Sequence, residues 1–269
     1  MRDSRPLEGG SSTTMSLLEI DRSDDRPARI VLRRCGRANL RANPGSADAE
    51  FHLLKHLANR GFPVPRPLVH DPSCAAPWLL LDYRDGEPLW HPDEGHALAM
   101  AGFLAGLHGI VPGGALSFVP RQTMPGAPAS TRLDLPADLD WPPGAPGTRR
   151  LLHGDFWTGN VLWSDGGLAA VIDWEDSMIG DPLADLAIAR SNLVWTHGIG
   201  ACRAFTAHYR NAMGLDPHRL WLWDIHAAVT MAPHAGDYAA DWQELGRRDV
   251  SETMILERLQ DLVDGNVMP

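Results

Sequence analysis

The chain is poor in cysteine, with Cys35, Cys74 and Cys202 in 269 residues. An odd, widely spaced set without a CxxC pair or zinc-ligand spacing gives no disulfide framework, and a reducing cytosol is the natural setting. Long apolar runs are lacking too. The longest, Ala97–Leu107, stops at His108 and is too short to span a bilayer. The opening string MRDSRPLEGGSSTTMS has no apolar core of the kind a signal peptide needs. Nor is there a basic stripe: 34 acids stand against 24 Lys and Arg, for a net charge of −10, which argues against general nucleic-acid binding. These absences predict a soluble, cytoplasmic protein without a membrane or nucleic-acid partner; a monomer or homodimer is expected.

What is present suits a folded enzyme. An apolar fraction of 44% and a charged fraction of 22% are ordinary for a globular chain, and the length allows one large domain or two lobes. Met15–Ile20 and Arg29–Arg33 read as strands. Ser46 is expected to cap a helix carrying Phe51, Leu54, Leu57 and Ala58 at helical spacing, with Gly61 as its stop. FPVPRPL is an extended connector because its prolines forbid a helix, and Trp78–Tyr83 reads as a buried strand. Helices follow over Gly95–His108, Pro182–Val194, Ala201–Met213, His218–Met231 and Ser251–Val263, the last capped by Ser251 and ended near Gly265. Residues 109–150, rich in Pro and Gly, have no sustained period and read as a functional loop or a substrate-facing insertion. The expected class is α+β: a strand-rich lobe over 1–83, a hinge about 81–87, and a helical lobe over 84–269.

The chemistry concentrates in LLHGDFWTGNVLW, residues 151–163, and AAVIDWEDSMIGDPLADLA, residues 169–187. Strands at Val161–Trp163 and Leu168–Ile172, joined by a turn at Asp165–Gly167, form a hairpin with Asn160 and Asp173 at neighbouring ends. Asp155 lies on the loop that enters it. Three oxygen-bearing side chains on a turn-rich segment suit phosphoryl transfer with Mg²⁺, which prefers oxygen ligands and takes one or two carboxylates beside phosphate. Asp173 is the expected metal carboxylate, Asn160 its neutral companion, and Asp155 the group that orients the acceptor hydroxyl and takes its proton.

HGDFWTGN resembles the HGDxxxxN catalytic loop of the aminoglycoside phosphotransferase and choline kinase-like family, and IDWE its metal segment. GDPLADLA matches the continuation in which Asp185 ties a helix to the catalytic loop. The resemblance spans most of residues 7–187 and implies a two-lobed protein-kinase-like fold, an N-terminal antiparallel sheet beside a larger helical part. It implies ATP and Mg²⁺ as cofactors and a kinase moving the γ-phosphoryl group to a small-molecule hydroxyl. The acceptors it implies are an aminoglycoside or other amine-bearing compound, with choline, ethanolamine, homoserine, macrolide or sugar as alternatives and a nucleotide-binding pseudokinase as the non-catalytic one. By the same resemblance, Gly9, Gly10, Ser11 and Ser12 of LEGGSSTT would cover phosphates, although a linker of this composition reads the same way. Arg33 of RIVLR would take the place of the phosphate-pairing lysine, with Glu50 as its ion-pair partner or, on the other reading, as a surface salt bridge. Backbone groups at Asp82 and Tyr83 would meet adenine. His108 and His153 read as bracing rather than catalytic residues. Trp157 and Trp174 would place indoles near the acceptor. Asp224, Asp237, Asp241 and Glu244 are candidate amine-binding acids or solvated ones, and His234 with Asp237 marks the first place to look for acceptor contacts.

Overall fold

The computed structural model describes residues 3–7, 13–21, 27–36, 40–41, 44–73, 76–90, 93–130, 132–143, 149–214 and 216–268. The chain forms two compact units, residues 1–87 with 162–175, and residues 88–161 with 176–269.

The first unit is built on an antiparallel sheet. β1 (Asp3–Leu7), β2 (Thr13–Asp21), β3 (Pro27–Cys35), β4 (Pro67–Asp71) and β5 (Trp78–Asp82) are ordered β1-β2-β3-β5-β4. In β5 the side chains alternate, Leu79 and Leu81 being buried, as a half-covered pleated strand demands. The register sets Arg33 opposite Met15 on one side and Leu79 on the other, and Val31 opposite Leu17 and Leu81. Arg33 is therefore a cation among apolar cross-strand neighbours. Helix α1 (Ser46–Asn59) buries Leu53, Leu54 and Leu57. Ser46 is not its cap: the N-cap is Gly45, and the Ser46 hydroxyl lies 3.9 Å from Cys35 Sγ. Gly61 follows the helix with φ 81°, a left-handed conformation that suits glycine. The prolines at 63, 65 and 67 keep this segment out of helix, with a bend at Pro63, and from Pro67 it becomes the edge strand β4, where a missing N–H costs nothing.

A hairpin completes this unit. β7 (Val161–Ser164) and β8 (Gly167–Val171) are joined through Asp165 and Gly166, both at positive φ, the backbone of a tight hairpin turn. Trp163 exchanges backbone hydrogen bonds with Glu87, and Val171 N–H donates to Pro63 O at 2.8 Å. These ties explain why 162–175 belongs with 1–87.

The second unit is helical: α2 (Glu94–His108), α3 (Pro182–Thr196), α4 (Gly198–Met213), α5 (Pro217–Met231), α6 (Ala235–Glu244) and α7 (Glu252–Val263), with a two-stranded sheet of β6 (Arg150–Leu152) and β9 (Met178–Gly180). α3 is buried on nearly every side, as its apolar sequence requires. Its Arg190 forms a buried pair with Asp224 of α5, Nε to Oδ1 at 2.9 Å and Nη2 to Oδ2 at 3.0 Å. That pair removes Asp224 from the acids able to bind a substrate amine. Residues 109–150 contain a single 3-10 turn at Gly114–Leu116 among the described residues, yet the described stretches are anchored at several points. Gln122 Oε1 accepts from Asp181 N–H at 2.9 Å, Asp134 N–H donates to Gln260 at 2.9 Å, and Trp141 stacks on His226 with ring centres 5.3 Å apart. No helix among the described residues is long and apolar enough to cross a membrane.

His197 joins α3 to α4. Its Nδ1 lies 2.6 Å from Thr196 Oγ1, and its buried Nε2 has no hydrogen-bond partner among the described residues. Burial, followed by the charge of Arg247, pushes this imidazole from 6.5 down to about 3. Below pH 6.5 the unfolded chain therefore takes up a proton that the folded chain refuses, so stability is full above that pH and falls toward pH 3. Thermal melts across this range should show a shallower acid-side fall in Tm for His197→Asn than for the parent chain. Equal slopes would remove His197 as the source.

Candidate active site

The loop after β6 is shaped by one buried carboxylate. Asp185, in the first turn of α3, accepts the His153 N–H at 2.8 Å and the Gly154 N–H at 2.9 Å. His108 Nε2 lies 3.2 Å from the same carboxylate, and His108 Nδ1 lies 2.7 Å from the Tyr209 hydroxyl. Burial works to raise the Asp185 carboxyl, but the hydrogen bond and charge of His108, with help from His153, outweigh it and hold the group below the ordinary carboxylate range. Gly154 has φ 90°, and a Cβ there would come within 2.1 Å of Asp176 O. Both facts require glycine.

From this anchored start the loop presents Asp155. Its N–H donates to His153 Nδ1 at 3.2 Å, which makes His153 a brace for the loop. A 3-10 turn at Thr158–Asn160 brings Asn160 back, and its Nδ2 donates to Asp155 O at 2.9 Å and to Asp155 Oδ2 at 3.0 Å. Thr158 is fastened to Asn192 of α3 at 3.1 Å. The Trp157 indole lies over Gly159, where a Cβ would meet the ring at 2.2 Å.

In the first unit, Arg33 gathers acids. Nη1 donates to Glu50, and Nη2 donates to Asp173 at 2.8 Å and Glu175 at 2.6 Å. Three carboxylates face one guanidinium. Burial pushes Glu50 up to about 7 against the pull of Arg33, with Asp173 and Glu175 adding to the rise. Arg33 is itself held above its ordinary value, because the three acids outweigh its burial. Of the four side chains, Asp173 alone is substantially open, at 32% exposure against 4%, 3% and 10% for Arg33, Glu50 and Glu175. Its backbone has φ 64°, uncommon for a residue with a side chain and a frequent mark of functional positions.

The Arg33 cluster fits Mg²⁺ chemically, because it carries surplus negative charge and its open member is a carboxylate. In the second unit, taken by itself, Asn160 spends its amide nitrogen on Asp155, which leaves an oxygen donor of the kind Mg²⁺ prefers. The Arg33 Nε is buried without a hydrogen-bond partner among the described residues, a donor that an anionic oxygen would satisfy.

Other candidates fall elsewhere. Gly9, Gly10, Ser11 and Ser12 lie outside the described residues. The Asp82 and Tyr83 N–H groups are committed within the sheet region, to Arg66 O at 2.9 Å and Arg29 O at 3.2 Å. Trp174 is buried and donates to Val171 O at 2.9 Å, so it is a core residue and not an acceptor-side indole. His234 and Asp237 are both exposed, 3.8 Å apart. Two contributors were not singled out from sequence. Glu175 stands two residues after Asp173, where a second acid was the available signal. Tyr238 of α6 is half-buried and stacks on Trp195, with ring centres 6.3 Å apart. Burial and then the charges of Asp155, Asp237 and Asp241 push its phenol up, which puts Tyr238 within electrostatic reach of Asp155.

Residues 3–223 match the phosphotransferase enzyme family, and the chain belongs to that family. Acyl-CoA dehydrogenase family member 10 of Mus musculus is 29% identical, in a match covering 66% of this chain and 20% of that protein. The chain thus spans about a fifth of that relative's length. Among solved structures, the macrolide 2'-phosphotransferase MphH apoenzyme from Brachybacterium faecium aligns with a TM-score of 0.60 at 18% identity, covering 97% of this chain and 92% of that one. A thermostable mutant of aminoglycoside phosphotransferase APH(4)-Ia, in ternary complex with AMP-PNP and hygromycin B, gives 0.57 at 16% identity, covering 98% and 93%. These likenesses establish the protein-kinase-like fold.

The two loop glycines separate shape from crowding. Gly154→Ala meets rigid backbone at positive φ and should cost about 1–3 kcal/mol of stability together with most turnover. Gly159→Ala meets only the indole, and should keep the fold while shifting Trp157 fluorescence. Denaturant melts and emission spectra of the two variants check this, and equal stability losses would contradict it.

Proposed function

We propose that this chain transfers the γ-phosphoryl group of MgATP to a hydroxyl of a small, amine-bearing molecule. The observation that carries the reading is the Asp155–Asn160 contact on a loop pinned by Asp185, in which a carboxylate is held by its own loop and its backbone is fixed two residues upstream. Asp155 is the group that aligns the acceptor hydroxyl and accepts its proton as the acceptor oxygen bonds to phosphorus and the bond from phosphorus to the departing ADP oxygen breaks. Asn160 holds Asp155 in that role. Arg33, kept cationic by Glu50, Asp173 and Glu175, supplies positive charge for phosphate oxygens. Asp173 and the Asn160 carboxamide oxygen would hold Mg²⁺, which when bound offsets phosphate charge. Family membership and the nucleotide analogue named in the APH(4)-Ia complex support ATP as donor.

The acceptor class rests on α6. Asp237 and Asp241 are exposed one helical turn apart, with Tyr238 beside them and coupled to Asp155. Two acids and an aromatic face suit a cationic amine. Hygromycin B and macrolides, named with the structural relatives, are informative members of a screen.

A coupled ADP-release assay over aminoglycosides, macrolides, amino alcohols and sugars tests the reading. Asp155→Asn should lower kcat about 10²–10⁴-fold while nucleotide affinity stays within about threefold. For the accepted substrate, Asp237→Asn with Asp241→Asn should raise KM more than it lowers kcat. Equal turnover by the Asp155→Asn chain would overturn the assignment of the base. An acceptor preference for uncharged sugars would overturn the amine class.

A further inference from the structure

On the solvent side of α1, away from the Arg33 cluster, three metal-ligand side chains converge. Asp48 and His52 are one helical turn apart on α1, and His70 projects from the edge strand β4. A single carboxylate oxygen, Asp48 Oδ1, lies 2.9 Å from His70 Nε2 and 3.5 Å from His52 Nε2. The three ligand atoms all fall within 4.8 Å of one another. Bond lengths of about 2.0–2.1 Å at tetrahedral angles place neighbouring ligand atoms about 3.4 Å apart, a value that the 2.9 and 3.5 Å separations bracket. Phe51 stacks on the His70 ring, with centres 3.9 Å apart and planes 14° from parallel, and so orients the imidazole.

We propose that Asp48, His52 and His70 form a transition-metal site, separate from the Mg²⁺ ligands, that clamps α1 to β4. Two imidazoles and one carboxylate are donors for Zn²⁺, Co²⁺ or Ni²⁺ and not for Mg²⁺ or Ca²⁺, which take oxygen. Three protein ligands leave a position for water, and the half-exposed side chains of Asp48 and His52 give a route for entry. The consequence lies two residues along the helix. Glu50 sits between Asp48 and His52 in sequence but is buried against Arg33, so fixing this turn of α1 also fixes the acid that keeps Arg33 in place. The effect on nucleotide affinity rests on the proposed kinase function; the metal site itself does not.

The test uses the full chain, without a polyhistidine tag and freed of metal, titrated with Co²⁺ and followed by visible d–d absorption, then with Zn²⁺ by calorimetry. One equivalent of Co²⁺ should bind with the intense visible bands of a four- or five-coordinate ion. His52→Gln and His70→Gln should each weaken binding by more than about tenfold, and His52→Gln should leave the metal-free melting curve unchanged. His52 is half-exposed, so its variant keeps the test valid even if His70→Gln disturbs the Phe51 stack. Absence of saturable binding would overturn the proposal, as would Zn²⁺ affinity unchanged in His52→Gln. Both readouts detect metal directly, so a chain that phosphorylates no acceptor still tests the site. In an active chain, Zn²⁺ should tighten binding of the ATP analogue AMP-PNP only where the three ligands are intact.

Discussion

A carboxylate with no solvent to stabilise it must find donors inside the protein, and Asp185 finds them in the backbone of the loop it supports. Removing an ion from water costs several kcal/mol unless charge and hydrogen bonds replace the lost hydration. Here the replacement comes from two consecutive N–H groups and from His108, which is itself held by Tyr209. Asp185 also stands in the first turn of α3, where the helix dipole favours an anion. The arrangement works in both directions. The loop satisfies the acid, and the acid leaves the loop one backbone path, with left-handed Gly154 at its sharpest point. The position of Asp155 follows from that path, because its own N–H is already engaged by His153.

The Arg33 cluster obeys a different logic. Arg190 and Asp224 make a balanced buried pair with several hydrogen bonds, which suits a structural role. Around Arg33 the acids outnumber the cation, and burial, with Asp173 and Glu175 adding to it, pushes the Glu50 carboxyl up to about 7. Such a group gains from any added positive charge nearby. Under the proposed function, this surplus of acids is where Mg²⁺ would bind, whereas a balanced pair would gain little from a cation.

The sequence conveyed the local parts well. The loop at 153–160, the hairpin that follows it and the helix beginning at Pro182 each depend on residues close together in the chain, so motif and spacing exposed them. The Arg33–Glu50 pair spans strand and helix, and only resemblance made it legible. What escaped depends on surroundings. β1, with the polar sequence DSRPL, is mostly exposed and carries no apolar alternation. Ser46 looks like a cap, but Gly45 precedes it and the Ser46 hydroxyl turns toward Cys35. α6 was hidden by Pro233 and Gly236, although Ala235, Ala239 and Trp242 have helical spacing and are buried. Trp174 carries the same indole as Trp157, and only packing separates the core residue from the half-buried one.

The same contrast governs how far specificity can be read. Phosphate chemistry needs a few oxygen and nitrogen atoms at fixed places, and a short loop with two glycines can hold them, so its requirements compress into a motif. An acceptor is met by side chains from separate helices, each under only the weak constraint of one face. Asp224 and Asp237 lie thirteen residues apart on successive helices and look alike in sequence. One is sealed against Arg190, and the other is open to solvent on a helix whose Tyr238 senses Asp155. Burial, not residue type, decides which acid is available to a ligand, and burial is set by every helix packed around it. Under the proposed function, reaction class is therefore local in this chain, and acceptor choice would be a property of the assembled helical unit.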